Sequence, residues 1–230
     1  NLKSLQKRTL SALVLIPVAV WALYTGGWPL LILMGLCLFL IGYEWTMLIP
    51  KMSSMTEKVG FSAVGLIYVP FAFFCFLTLS GLEYKFHLVL IIMVWASDIT
   101  AYFTGKIIGG PKLAPALSPN KTWSGMIGAV LGPVIILNII YSFFFPSIDC
   151  SVLAECEGML ANPNSRLYLS GLAVLVGISG QIGDLFISSI KRKAKVKDTG
   201  SLLPGHGGAL DRLDSLLLAS IVFTLAHIGV

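Results

Sequence analysis

Four aspartates stand where an apolar chain has little use for a carboxylate. Asp98 lies inside one apolar run, Asp184 near the end of another, and Asp211 and Asp214 open a third. An ionised carboxylate at the centre of a helix in lipid costs roughly 2.5–3.5 kcal/mol on insertion scales, so each needs a cation, a metal or a water-filled cavity. The spacing is orderly. Asp184, Ser188 and Lys191 fall at i, i+4 and i+7, on one helix face. Asp98, Tyr102 and Gly105 repeat that interval, and Asp211, Asp214 and Ser215 fall at i, i+3 and i+4. Such hard oxygen donors suit Mg2+, which takes one or two carboxylates and fills its remaining positions with substrate phosphate and water. A single buried ion pair, or a side chain snorkelling from a helix end, is the plainer alternative for Asp98 and Asp184.

Cations surround these acids. Lys191, Arg192, Lys193, Lys195, Lys197 and Arg212 are interleaved with Asp198 and Asp211, and they enclose Pro204-Gly205-His206-Gly207-Gly208. Glycine backbone approaches a phosphate closely because no Cβ intervenes. Such a run would by itself read as an ordinary cytoplasmic anchor. Carboxylates, cations and a glycine turn together are what metal-assisted phosphoryl or nucleotidyl transfer requires. A second basic, Gly/Pro-rich segment, 106–121, carries Lys106, Lys112, Asn120 and Lys121. Spacing alone therefore points to a membrane-embedded enzyme acting on phosphates, and no further.

The elements that must position these residues are apolar spans. The chain has 230 residues, 56% hydrophobic and 12% charged, with a mean hydropathy of +0.87. Soluble domains carry about 25% charged residues, so too little polar surface remains to cover a water-soluble globule. Continuous apolar runs, without period-2 alternation, favour an all-α polytopic helical bundle over a barrel. Seven spans are expected, roughly at 9–25, 29–48, 59–82, 86–108, 122–148, 167–190 and 213–230, with Gly26-Gly27-Trp28-Pro29 turning the chain between the first two. They form one membrane domain, with N-terminal helices over 1–90 and a catalytic region over 91–230 that carries the loops 106–121 and 191–212. An N-terminus in the cytoplasm puts all but Lys85 and Arg166 of the 16 lysines and arginines on the cytoplasmic side. The net charge of +5 is then a membrane-surface feature, and no nucleic-acid partner is expected. No cleavage site follows the basic start, so no cleavable signal peptide is expected; Asn1 in place of Met hints at residues upstream.

Residues 188–215, from Ser188-Ser189-Ile190-Lys191-Arg192 through Lys197-Asp198-Thr199-Gly200, Pro204-Gly205-His206-Gly207-Gly208 and Asp211-Arg212-Leu213-Asp214-Ser215, resemble the signature of the phosphatidate cytidylyltransferase (CDP-diacylglycerol synthase) family. Gly180-Gln181-Ile182-Gly183-Asp184-Leu185, Ser97–Lys106, Leu113-Ala114-Pro115 and Ser118-Pro119-Asn120-Lys121-Thr122-Trp123 are similar to the same family, and the resemblance covers about 97–220. Ser124 departs from it, since the family usually has Glu or Gln there. The resemblance implies that CTP and phosphatidate give CDP-diacylglycerol and pyrophosphate, for phospholipid biosynthesis. It implies Mg2+ on Asp184 and Asp211, with K+ as a second cation, and Ser188, Lys191 and Asp214 at the same catalytic site. Arg192, Arg212, His206, Gly207, Gly208, Lys121, Asn120, Asp98, Lys197 and Asp198 are then candidate substrate-binding residues. The expected setting is a bacterial inner (cytoplasmic) membrane, with the site facing the cytoplasm and membrane lipid as partner. A homodimer is compatible with the sequence, although no motif marks one.

Other residues take quieter readings. His87 and His227 are expected at interfacial span ends. Cys37 and Cys75 read as apolar packing, and Cys150 and Cys156 share the outer loop, where a disulfide could form in an oxidising compartment. Trp95 and Trp123 flank the site segments, where they could line the site, although packing is the plainer reading; Trp21, Trp28 and Trp45 read as interface or packing residues. Glu44, near a cytoplasmic span end, has no evident partner. Two other functions remain open at this level: a CTP-dependent lipid-alcohol kinase, which would release CDP, and an ion-coupled transporter. Transporters usually carry repeated halves and midplane sites, and no repeat is visible here.

Overall fold

The computed structural model describes residues 13, 16–81, 86–144, 165–200, 202 and 207–228. The chain is an all-α membrane protein with one small hairpin. The helices are α1 (Ile16–Thr25), α2 (Gly27–Leu48), α3 (Met55–Ser80), α4 (Phe86–Ile107), α5 (Trp123–Phe144), α6 (Ser165–Lys193) and α7 (Leu210–Ile228), with a 3-10 turn at Ile49–Lys51. Helices α2 to α6 are each long and apolar enough to cross a bilayer; α1, over its described residues, is shorter, and α7 carries Asp211, Arg212 and Asp214 in its first turns. Side chains such as Ile32, Phe39, Leu66 and Ile67 point outward, Leu66 with 77% exposure. That surface needs lipid as its solvent.

The segment 106–121, expected as a loop, folds in part. Strands β1 (Lys112–Ala114) and β2 (Ser118–Thr122) pair antiparallel, with Lys112 opposite Thr122 and Ala114 opposite Ser118. The Leu117 N–H closes the turn on the Ala114 carbonyl at 3.1 Å, and the Trp123 N–H returns to the Pro111 carbonyl at 3.1 Å. The strands are too short for alternation to have announced them, and β2 carries Pro119. The Ser54 hydroxyl and Glu57 form a capping box at the start of α3, which accounts for that helix beginning earlier than the apolar run at 59.

Two compact units divide the chain. The first comprises Asn1–Leu88 and Gly183–Leu217; the second comprises Val89–Ile182 and Leu218–Val230. In the first unit, α2 and α3 cross at Gly65, where the Trp45 ring fills the space a Cβ would need. The Trp45 indole stacks on Phe61 at 4.3 Å and donates to the Phe61 carbonyl at 3.1 Å. His87 sits at a span end as expected, yet it is buried, with Nε2 donating to the Leu23 carbonyl at 2.9 Å. In the second unit, α4 meets α5 through small residues. The Thr100 hydroxyl lies 2.7 Å from the Gly128 carbonyl, and Cβ atoms at Gly128 and Gly132 would come within 2.8 and 2.7 Å of the Thr100 and Ala96 carbonyls. In lipid the hydrophobic effect no longer drives helices together, so close backbone approach and such hydroxyls do the work.

Gly128→Val should therefore weaken the second unit by about 1–3 kcal/mol through overpacking. Gly35→Val, at a position with nothing within 4 Å, serves as the control. The check is the thermal unfolding midpoint in detergent: Gly128→Val should fall below Gly35→Val, and equal midpoints would contradict the packing account.

Candidate active site

The loop after α6 returns to α7 so that the Asp211 carboxylate is gripped on both oxygens. Oδ1 accepts from Lys191 Nζ at 2.8 Å. Oδ2 accepts from the Thr199 N–H at 2.8 Å, the Thr199 hydroxyl at 3.0 Å and the Gly208 N–H at 3.3 Å. Lys191 and Asp211 are only 13% and 11% exposed, so their attraction is less screened than that of a surface pair. Asp211 also lies in the first turn of α7, where the helix dipole favours an anion. Burial works to raise its pKa. The Lys191 ammonium and the two Thr199 donors outweigh burial and hold the carboxyl below its ordinary value.

Asp184 and Ser188 lie on the same unit of α6, with the Ser188 hydroxyl donating to Asp184 Oδ1 at 3.3 Å. Lys191 follows two turns later on that face, about 10 Å along the axis, and side chains on a helix lean toward its N-terminus, here back toward Asp184. The expected stripe of Asp184, Ser188 and Lys191 is thus present, with Asp211 attached at its end. Asp214 lies one turn into α7 and accepts from the Ser215 N–H at 2.8 Å. Arg192, Lys197, Asp198 and Arg212 are exposed around this cluster. His206 lies outside the described residues, as do the Cys150–Cys156 pairing and most of the outer loop. Gly207 adopts φ +85°, a conformation that favours glycine. Gly208 has a role that spacing did not suggest: its N–H is engaged by Asp211, and a Cβ there would come within 2.6 Å of Glu44 Oε2.

In the second unit a different polar group forms. The Gln181 amide accepts from Lys121 Nζ at 2.8 Å and donates to Asp98 Oδ1 at 3.4 Å. Its orientation follows from its neighbours, because only the carbonyl oxygen accepts and only the NH2 donates. Asn120 is exposed on β2. Ser124 donates to the Gly109 carbonyl and lies 3.0 Å from the Thr122 hydroxyl, so this departure from the family pattern ties the hairpin to the end of α4. Trp95 and Trp123 are 56% and 54% exposed.

Sequence reasoning missed three residues. Thr199 sat unremarked inside the long motif. Gln181 lies one turn before Asp184 on α6. Glu44 was read as unpartnered, and the structure buries it at 1% exposure with hydrogen bonds to Thr199, Ala209 and Leu210. Its signal was available: it is the first acid in the chain and lies in an apolar span. A cavity of about 390 Å3 lined by Phe61, Val64, Phe186, Ile190 and Lys193 opens on the face of α6 opposite Asp184 and Lys191, and so belongs to neither cluster.

The donors fit a hard divalent cation in one respect. The Asp211 carboxylate already binds a cationic ammonium at 2.8 Å, and Asp184 offers oxygens on the face that carries that ammonium. Among the described residues no group of three or more His, Cys, Asp or Glu gathers, so an all-protein cage is not formed there. Mg2+ sites commonly need only one or two carboxylates, with substrate phosphate supplying the rest.

Comparison with known proteins shows the family. Residues 45–228 match the cytidylyltransferase family. A protein of Rickettsia bellii named phosphatidate cytidylyltransferase is 34% identical over 226 residues, covering 96% of this chain and 90% of its own. A Brucella abortus protein of the same name is 32% identical over 276 aligned positions, covering 97% and 93%. One from Bacillus subtilis is 35% identical over 166 residues, covering 70% of this chain and 55% of its own. The match spans the Asp184 stripe, the Lys191–Asp211 pair and the Gln181 group alike, and the chain belongs to the cytidylyltransferase family, as a membrane nucleotidyltransferase.

Proposed function

We propose that the protein transfers the cytidylyl group of CTP to phosphatidate, forming CDP-diacylglycerol and pyrophosphate. The observation that carries this reading is the Asp211 carboxylate, held by Lys191, Thr199 and Gly208 beside the Asp184 stripe. The names of the near-full-length relatives supply the substrates.

The headgroup oxygen of phosphatidate attacks the α-phosphorus of CTP, the bond from that phosphorus to the β-phosphate oxygen breaks, and pyrophosphate leaves with the electron pair. A phosphate monoester has a second pKa near 6, so the nucleophile is ionised at neutral pH and needs no dedicated base. The obstacle is repulsion between two anions. Lys191 is anchored on Asp211 and is poised to share its charge with an incoming phosphate; Arg192 and Arg212, exposed beside it, supply further neutralisation. Mg2+ held by Asp184 and Asp211, with K+ as a candidate second cation, would stabilise charge on the α-phosphate and the departing pyrophosphate. Ser188 holds the Asp184 carboxylate in orientation. Asp98, Asn120, Lys121, Lys197 and Asp198 are assigned to substrate binding on the family resemblance. The bias of Lys and Arg supports a cytoplasmic site, where water-borne CTP meets a bilayer-held headgroup.

The direct test is purified protein with phosphatidate, Mg2+ and CTP labelled on the α-phosphate. Label should enter the lipid as pyrophosphate is released; transfer of the γ-phosphate with release of CDP would overturn the reading. Asp211→Asn keeps an acceptor for Thr199 and Gly208 but removes the charge, and turnover should fall at least about 100-fold while insertion and purification stay normal. Lys191→Ala should lower turnover at least about tenfold; a change under twofold would make Lys191 a membrane anchor only.

A further inference from the structure

At the N-terminus of α7 the Asp211 carboxylate reaches back to the Gly208 N–H at 3.3 Å, and the next two N–H groups look elsewhere. The residue before its first turn is Ala209, whose side chain accepts nothing, and the first N–H groups of a helix need acceptors. Those acceptors come from another span. Glu44, one turn before the end of α2, accepts from the Ala209 N–H through Oε1 at 2.8 Å and from the Leu210 N–H through Oε2 at 2.9 Å. Oε2 also accepts from the Thr199 hydroxyl at 3.0 Å. The chain is shaped to admit this carboxylate: a Cβ at Gly200 or Gly208 would come within 2.8 or 2.6 Å of it. The described partners of Glu44 are uncharged, so its charge is met by backbone dipoles at the positive end of α7.

Asp211 follows Leu210 directly, and Thr199 touches both carboxylates. Its hydroxyl lies 3.0 Å from Glu44 Oε2 and 3.0 Å from Asp211 Oδ2. One O–H serves one acceptor at a time. When Glu44 takes it, Asp211 Oδ2 keeps only the N–H groups of Thr199 and Gly208, so the hydroxyl no longer pulls on the carboxylate and its direction is set by the backbone. Glu44 thus acts on the backbone that bears Asp211 and on the residue that orients its carboxylate.

We propose that Glu44 is a positioning residue for the nucleotidyl transfer, setting the direction of the Asp211 carboxylate through the cap of α7 and through Thr199. This rests on the function proposed above, and wild-type turnover in the same preparation tests that function separately. Glu44→Gln keeps the size but turns one acceptor into a donor facing an N–H or the Thr199 hydroxyl; Glu44→Asp keeps the charge. Three quantities are measured on the full chain in detergent: steady-state kinetics, the Mg2+ concentration for half-maximal rate, and amide hydrogen exchange without metal or substrate. Glu44→Gln should lower kcat about 10- to 100-fold, as a small misplacement of a reacting group does. KM for CTP and phosphatidate should stay within about twofold, the Mg2+ requirement should rise, and exchange should quicken in 199–200 and 209–214 but not in α3. Glu44→Asp should recover part of kcat. A kcat for Glu44→Gln within twofold of wild type overturns the proposal. So does a loss of rate that merely tracks the loss of folded protein, with the Mg2+ requirement unchanged. If wild type shows no transfer, the function fails, and exchange still reports whether Glu44 holds the Asp211 segment.

Discussion

A largely buried carboxylate in a lipid-embedded protein must stay ionised where charge is costly, which takes donors on its oxygens. Asp211 meets that constraint with an ammonium on one oxygen and N–H and O–H donors on the other. Lys191 anchors the carboxylate through one oxygen at 2.8 Å. The neighbouring features serve this one group: the long motif between α6 and α7 brings Thr199 and Gly208 to it, and α7 begins immediately before it.

The lipid environment explains why polar pieces outside the site are so economical. Threonine hydroxyls on α4 reach helix carbonyls within the second unit, and glycines on α5 let the backbones close up. Neither device exposes a polar group to hydrocarbon. Glu44 follows the same rule in the first unit. A charged side chain in an apolar span is tolerated because the Ala209 and Leu210 N–H groups at the start of α7 need what it offers, so two liabilities cancel. Gln181 answers both a cation and an anion in the second unit with a single neutral amide.

The aspartates, the basic run and the apolar helices α2 to α6 were legible because they depend on local pattern: helical spacing puts Asp184, Ser188 and Lys191 on one face whatever surrounds them, and apolar length defines a candidate span. The all-α membrane class followed from the same arithmetic, as did the family, through motifs long enough to be specific. The N-terminal start of α3 and the hairpin at 112–122 were less legible, since a capping box and a three-residue strand leave little periodic signal.

By itself the sequence determined a chain of apolar helices bearing carboxylates and cations at helical intervals, because those intervals are properties of each helix alone. Only the tertiary structure decided which donors each carboxylate receives. Glu44 is separated from Ala209 by most of the chain, and nothing in local spacing relates them; a hydrogen bond of 2.8 Å requires both backbones to be placed first. The same holds for Thr199 between two carboxylates, and for Gly208, whose missing Cβ leaves room for a side chain from another helix.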